Sequence, residues 1–103
     1  MKLYTINATP YREQDSQEGN NASLKYYPEN VAKVLSAYGI DGFTIYQVQG
    51  YWKGKAEVSY KIEIAIDRDN SYNVITGIAR ELKVMYEQES VMVTLPTNEV
   101  LFV

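Results

Sequence analysis

Apolar and polar residues alternate most regularly between residues 56 and 66. Val58, Tyr60, Ile62, Ile64 and Ile66 take every second position, and Glu57, Ser59, Lys61, Glu63 and Asp67 fall between and after them. A period of two places the two sets on opposite faces of a strand, one facing a core and one left polar. Residues 43–52 are rich in aromatic and β-branched types and read as a preceding strand. Lys53-Gly54-Lys55 is the short turn between them, so the two segments predict an antiparallel hairpin. On either side the period changes to that of a helix. After Pro28-Glu29, a pair suited to a first helical turn, Val31, Val34, Leu35 and Tyr38 recur at i, i+3, i+4 and i+7, and Gly39 suits the stop. Asp69-Asn70-Ser71 is a cluster of capping residues, followed by a stripe of Val74, Ile75, Ile78, Leu82 and Met85 in a helix running to about Glu87. Residues 3–8, 90–95 and 100–103 predict further strands, the last entered through the turn Pro96-Thr97-Asn98-Glu99.

The order of these elements is βαββαβ with a short extra C-terminal strand. The fold class is α+β: a ferredoxin-like antiparallel sheet with two helices on one face. Its other face is then open, and carries Glu57, Ser59, Lys61 and Glu63 with alternate residues of the strand before them. Such a face is solvated, covered by a ligand, or buried in an oligomer. Residues 12–23, with Gln14, Asp15, Ser16, Gln17, Glu18, Gly19, Asn20 and Asn21 among them, show no periodicity and read as a mobile loop suited to act as a lid.

Composition narrows the chemistry. At 103 residues the chain is read as a single domain. It has no cysteine and no histidine, which leaves carboxylates, hydroxyls, Lys, Arg and backbone to do any work. Ten Lys and Arg against 13 Asp and Glu give a net charge of −3, unfavourable for nucleic acid and favourable for a small cation. No apolar run is long enough for a signal peptide or a membrane span, so a soluble cytoplasmic protein is expected, without membrane contact. On that view the sequons Asn7-Ala8-Thr9 and Asn21-Ala22-Ser23 are no more than turn-friendly residues. Ten tyrosines beside two phenylalanines and one tryptophan suit subunit interfaces or a polar-aromatic pocket, although strand propensity accounts for many of them.

Three groups are candidates for function. At the tip of the hairpin, Gly50-Tyr51-Trp52 stands beside Glu57; neighbours on a strand face opposite ways, so only one of Tyr51 and Trp52 shares the face of Glu57. A carboxylate beside an aromatic ring suits a cation, whereas a plain hairpin tip would carry a solvated Glu and a packing aromatic. Glu87-Gln88-Glu89 follows the second helix, where acids oppose the macrodipole; two solvated carboxylates are the simpler account. Mg²⁺ or Ca²⁺ would suit such a pair, but no ordered oxygen-ligand loop accompanies it, and no metal site is expected. Lys61 and Glu63 are most simply a surface ion pair. No nucleophile elbow, phosphate loop or dinucleotide fingerprint is present.

Residues 31–103 resemble the phage-encoded S-adenosylmethionine lyases, formerly called hydrolases, through Gly50-Tyr51-Trp52, Glu57, and Glu87-Gln88-Glu89 leading into Val91-Met92-Val93. The resemblance implies a ferredoxin-like, PII-like trimer with its active site between subunits and S-adenosylmethionine as substrate. It implies that Glu57 and Tyr51 are catalytic, with Trp52, Glu89, Gln88 and Glu87 binding substrate, and that no cofactor is needed. Trp52 is the alternative match for the family's tyrosine, and the turn before Glu57 is shorter than in that family. In the reaction so implied, the substrate's own carboxylate attacks its γ-carbon, expelling 5′-methylthioadenosine and leaving homoserine lactone. Two other readings of the same pattern are a non-catalytic PII-like trimer that binds a small molecule, and a phage protein-interaction or inhibitor module.

Overall fold

The structure is a computed structural model that describes residues 1–9 and 21–103, the side chains of 21–26 apart. The elements are β1 Lys2–Ala8, α1 Asn21–Ala37, β2 Thr44–Trp52, β3 Lys55–Ile66, α2 Ser71–Met85, β4 Met92–Thr94 and β5 Val100–Phe102. The strands form an antiparallel sheet in the order β2-β3-β1-β4-β5. This is the ferredoxin-like arrangement that the pattern predicts, with β5 added beyond β4.

The β2–β3 hairpin closes more tightly than expected, with Trp52 opposite Lys55 and only Lys53 and Gly54 between. Their φ angles of 51° and 80° are both left-handed, as a type I′ turn requires. That turn matches the twist of the two strands, so pairing continues without slippage from Trp52 back to Thr44.

The first helix begins earlier than Pro28-Glu29 suggests. It starts at Asn21 and holds Pro28 in its interior. Tyr27 supplies the reason: its ring is fully buried and extends the inward stripe of Val31, Val34 and Leu35 by one turn. Proline withholds a single N–H, so the loss is one hydrogen bond against a buried aromatic ring. The expected loop at 12–23 thus ends in helix at 21–23, and its remainder lies outside the described residues.

α1 and α2 stop in the same way with different residues. After α1, Gly39 N–H donates to the carbonyl of Ser36 and Ile40 N–H to that of Leu35, with Gly39 at φ 77°. After α2, Glu87 N–H donates to Val84 and Gln88 N–H to Lys83, with Glu87 at φ 52°. Both are Schellman motifs, and the second puts a glutamate where glycine is usual. Arg68 reinforces the first end, its Nη1 donating to the Tyr38 carbonyl at 3.1 Å and Nη2 to that of Gly39 at 2.8 Å. At the start of α2 no side chain of the expected cap cluster caps the helix from Asn70; the Ser71 hydroxyl instead donates to the carbonyl of Arg68.

Ile6, Ile62, Ile64 and Val93 of the sheet meet Val31 and Leu35 of α1 and Ile75, Ile78 and Leu82 of α2 in one core. Met85, expected in the stripe, is 50% exposed. Tyr86, past the helix end, covers that corner instead, its ring centroid 4.8 Å from that of Tyr27. The opposite face of the sheet carries no helix among the described residues.

Candidate functional site on the open face of the sheet

Cross-strand partners share a face, so the register decides which tip aromatic accompanies Glu57. Gly50 lies opposite Glu57 and Trp52 opposite Lys55, on the open face, whereas Tyr51 lies opposite Ala56 on the other. Trp52, not Tyr51, shares the face of Glu57. The Tyr51 hydroxyl accepts a hydrogen bond from Gln49 Nε2 at 2.9 Å on its own side. The Trp52 ring has the Lys53 ammonium 5.7 Å from its centroid, so it already faces one cation.

Three further residues crowd Glu57. Thr9, one residue past the end of β1, is 8% exposed and donates from Oγ1 to Glu57 Oε1 at 3.3 Å. The same oxygen lies 3.3 Å from Ser59 Oγ. Gly50 is what leaves room: a Cβ there would come within 2.6 Å of Ser59 Oγ. A half-buried carboxylate, two hydroxyls, a bare backbone and an indole thus converge at one end of the open face.

Glu87, Gln88 and Glu89 approach the same end of the sheet. β4 starts at Met92 opposite Asn7, and 87–90 precede it, beyond the end of β1 where Thr9 lies. β4 is two strand spacings from β3, about 10 Å. Glu57 meets Thr9, whereas the Gln88 side chain turns back to its own segment. Gln88 Nε2 donates to the Tyr86 carbonyl at 3.3 Å. Farther along β3, Glu63 pairs not with Lys61 but with Tyr46, whose hydroxyl donates to Oε2 at 3.0 Å. That hydrogen bond, followed by slight burial and the charge of Glu63, raises the Tyr46 phenol above its ordinary value.

Beneath the site, on the helix side, three tyrosines form a stack. Tyr27 lies on Tyr60 with centroids 4.7 Å apart and tilts against Tyr86. Tyr60 donates to Gln47 Oε1, and Asn30 Nδ2 donates to Tyr86 Oη at 3.1 Å. Burial, then the neighbouring Tyr86 and Tyr60, pushes the Tyr27 phenol far above its usual range; burial also raises Tyr60. Part of the tyrosine excess is therefore core, and only Tyr60 of these three is in a strand.

Sequence reasoning missed Thr9 as a site residue and placed Ser59 no further than the polar face. The signal for Ser59 was present, since it stands two residues from Glu57 on one strand face. Thr9 had none, because its contact spans 48 positions of sequence. Among the described residues no group of three or more acids is arranged to hold a metal ion, and no helix is long and apolar enough to cross a membrane. A separate groove of about 630 Å³ lies between α2 and β5, lined by Thr76, Arg80, Lys83 and Phe102 among others, and includes none of the expected site residues.

No protein-family model matches this sequence, and comparison with curated proteins finds no relative. Solved structures do match. A phage SAM lyase in its apo state superposes with a TM-score of 0.76 at 15% identity, covering 98% of this chain and 86% of that one. A phage SAM lyase in complex with S-methyl-5′-thioadenosine gives 0.72 at 15% identity, covering 98% and 87%. CPII, a nitrogen regulatory PII-like protein from Thiomonas intermedia K12 bound to ADP, AMP and bicarbonate, gives 0.54 at 16% identity, covering 99% and 90%. The chain thus has the ferredoxin-like, PII-like fold that is also the fold of the phage SAM lyases.

Proposed function

We propose that this protein binds S-adenosylmethionine and cleaves it to 5′-methylthioadenosine and homoserine lactone. The observation that carries the reading is the half-buried Glu57, flanked by Trp52, Thr9, Ser59 and Gly50 on the face of the sheet opposite the two helices. The fold matches to phage SAM lyases support it, one of them holding the thioether that the reaction releases.

The chemistry suits a chain without histidine or cysteine. The substrate's carboxylate attacks its own γ-carbon as the carbon–sulfur bond breaks, and the bonding pair leaves with sulfur. A carboxylate and a sulfonium become a lactone and a thioether, so charge separation disappears in the transition state. Such a step is accelerated by fixing the attack geometry and withdrawing the substrate from water. Glu57 is assigned the substrate ammonium, and Trp52 the flank of the sulfonium through its π face. Tyr51, on the other side of the tip, is given no direct contact from the same chain. Glu89, with Gln88 and Glu87, is assigned to the site of a neighbouring copy in a trimer, since about 10 Å separates β4, which they precede, from the strand of Glu57.

Incubation with S-adenosylmethionine and chromatography of the products is the test. Methylthioadenosine and homoserine lactone should appear, and Glu57→Gln should abolish both while the circular dichroism spectrum is unchanged. Homoserine in place of lactone from the first time point would establish hydrolysis instead. The second reading, a non-catalytic small-molecule-binding trimer, is favoured by the PII-like match and would show as a raised melting temperature with intact ligand.

A further inference from the structure

Ser59, Thr9 and Glu57 touch in sequence, and the direction of their hydrogen bonds follows from counting protons. Thr9 Oγ1 carries one hydrogen, and the Glu57 carboxylate has none to give. Thr9 therefore donates to Glu57 Oε1, which leaves its lone pairs to accept, and Ser59 is the donor across the 3.3 Å contact. The chain runs Ser59 to Thr9 to Glu57 across β3, the end of β1, and β3 again. Thr9 is buried, so neither hydroxyl link is exchanged freely for water. Oε2 of Glu57 takes no hydrogen bond among the described residues.

Gly50 belongs to the same device. Any Cβ at position 50 would stand 2.6 Å from Ser59 Oγ, 3.4 Å from Ser59 Cβ and 3.9 Å from Glu57 Cγ. Only the first distance is prohibitive, and a serine relieves it by turning its hydroxyl away. The predictable consequence of a side chain at 50 is therefore loss of the Ser59–Thr9 contact, with β2 and β3 otherwise undisturbed.

We propose that Ser59 and Thr9 are positioning residues that hold Oε1 of Glu57 so that Oε2 faces the substrate ammonium, and that Gly50 is required because it leaves space for the Ser59 hydroxyl. This rests on the assignment of Glu57 to the substrate. Neither hydroxyl touches the reacting atoms.

Kinetics and melting temperatures of five variants test it: Thr9→Val, Thr9→Ser, Ser59→Ala, Gly50→Ala and the double Gly50→Ala/Ser59→Ala. Thr9→Val removes both hydroxyl links, to Glu57 and from Ser59, at constant shape and should lower kcat/KM about tenfold, while Thr9→Ser restores it to within about threefold of wild type. Gly50→Ala should match Ser59→Ala, and the double variant should be no worse than Ser59→Ala alone. Full activity of Thr9→Val beside an inactive Glu57→Gln would overturn the positioning role and leave the lyase reading standing. An equal further loss when Gly50→Ala is added to Ser59→Ala would overturn the role of Gly50. If the wild type cleaves nothing, the lyase reading fails, and melting temperatures still decide the hydroxyl chain. Thr9→Val and Glu57→Ala should then be non-additive, the second costing less in the presence of the first; strict additivity would refute the contact.

Discussion

Replacing Tyr27 with phenylalanine removes one oxygen and keeps the ring. That ring is fully buried and stacked on Tyr60, and its hydroxyl is enclosed with no hydrogen-bond partner among the described residues. In the unfolded chain the hydroxyl is hydrated; folding strips that water and returns nothing, which costs roughly 1–3 kcal/mol. Phenylalanine buries the same ring without this cost, and the gap left by one oxygen takes back less than about 1 kcal/mol. Tyr27→Phe should therefore be more stable by about 1 kcal/mol, a rise in Tm of roughly 4–8 °C for a chain of this length.

The pH dependence supplies an independent check. Burial holds the Tyr27 phenol protonated well beyond its ordinary value of 10.0. Below pH 10 folded and unfolded chains both keep the proton, and the group contributes no pH dependence. Above it the unfolded chain ionises and the folded chain does not, so the folded state binds more protons and stability falls as pH rises, by about 1.4 kcal/mol per unit. Tyr60, also raised, leaves a share of this slope in the variant. Urea titrations followed by circular dichroism at pH 7, 10 and 11 should show the variant ahead at pH 7 and its lead widening by about 1 kcal/mol or more at pH 11. A less stable variant at pH 7, with an unchanged alkaline slope, would mean that the hydroxyl is satisfied and the reasoning wrong.

Two other substitutions separate elements of the site. Trp52→Ala should raise KM for S-adenosylmethionine several-fold or more, consistent with a cation–π contact of about 1 kcal/mol, whereas Tyr51→Phe should leave it within twofold; the reverse order would reject the face assignment. Glu87→Gly places glycine at the left-handed end of α2 and removes an acid from a helix C-terminus, so the urea midpoint should rise, by about 1 kcal/mol in stability; a fall would show that the contacts of Glu87 outweigh its backbone strain.

The stripes and alternations that the sequence displays are local, and the elements they predict are present. Residues 56–66 alternate because one face of β3 is core and the other is not, and that contrast is written into every second side chain. Its limits are also local in origin. Pro28 looks like the start of a helix because a proline is easiest there, yet the helix continues through it to bury Tyr27. Met85 fits the helical stripe, yet Tyr86 covers the corner, because the motif ending α2 redirects the chain one residue later. Thr9 carries no sign of its role, since its partners lie some fifty positions away.

What the sequence determined by itself was the order and kind of the elements, the absence of histidine and cysteine chemistry, and the presence of a polar sheet face bearing Glu57. These follow from periodicity and composition, which neighbouring residues share. Tertiary structure alone decided that Trp52 stands on the Glu57 face, that Thr9 donates to its carboxylate and lies within hydrogen-bond reach of Ser59, and that 87–90 arrive at the same end of the sheet. Register is a relation between strands: a slip of one residue exchanges every face, and nothing within a single strand specifies its partner's position.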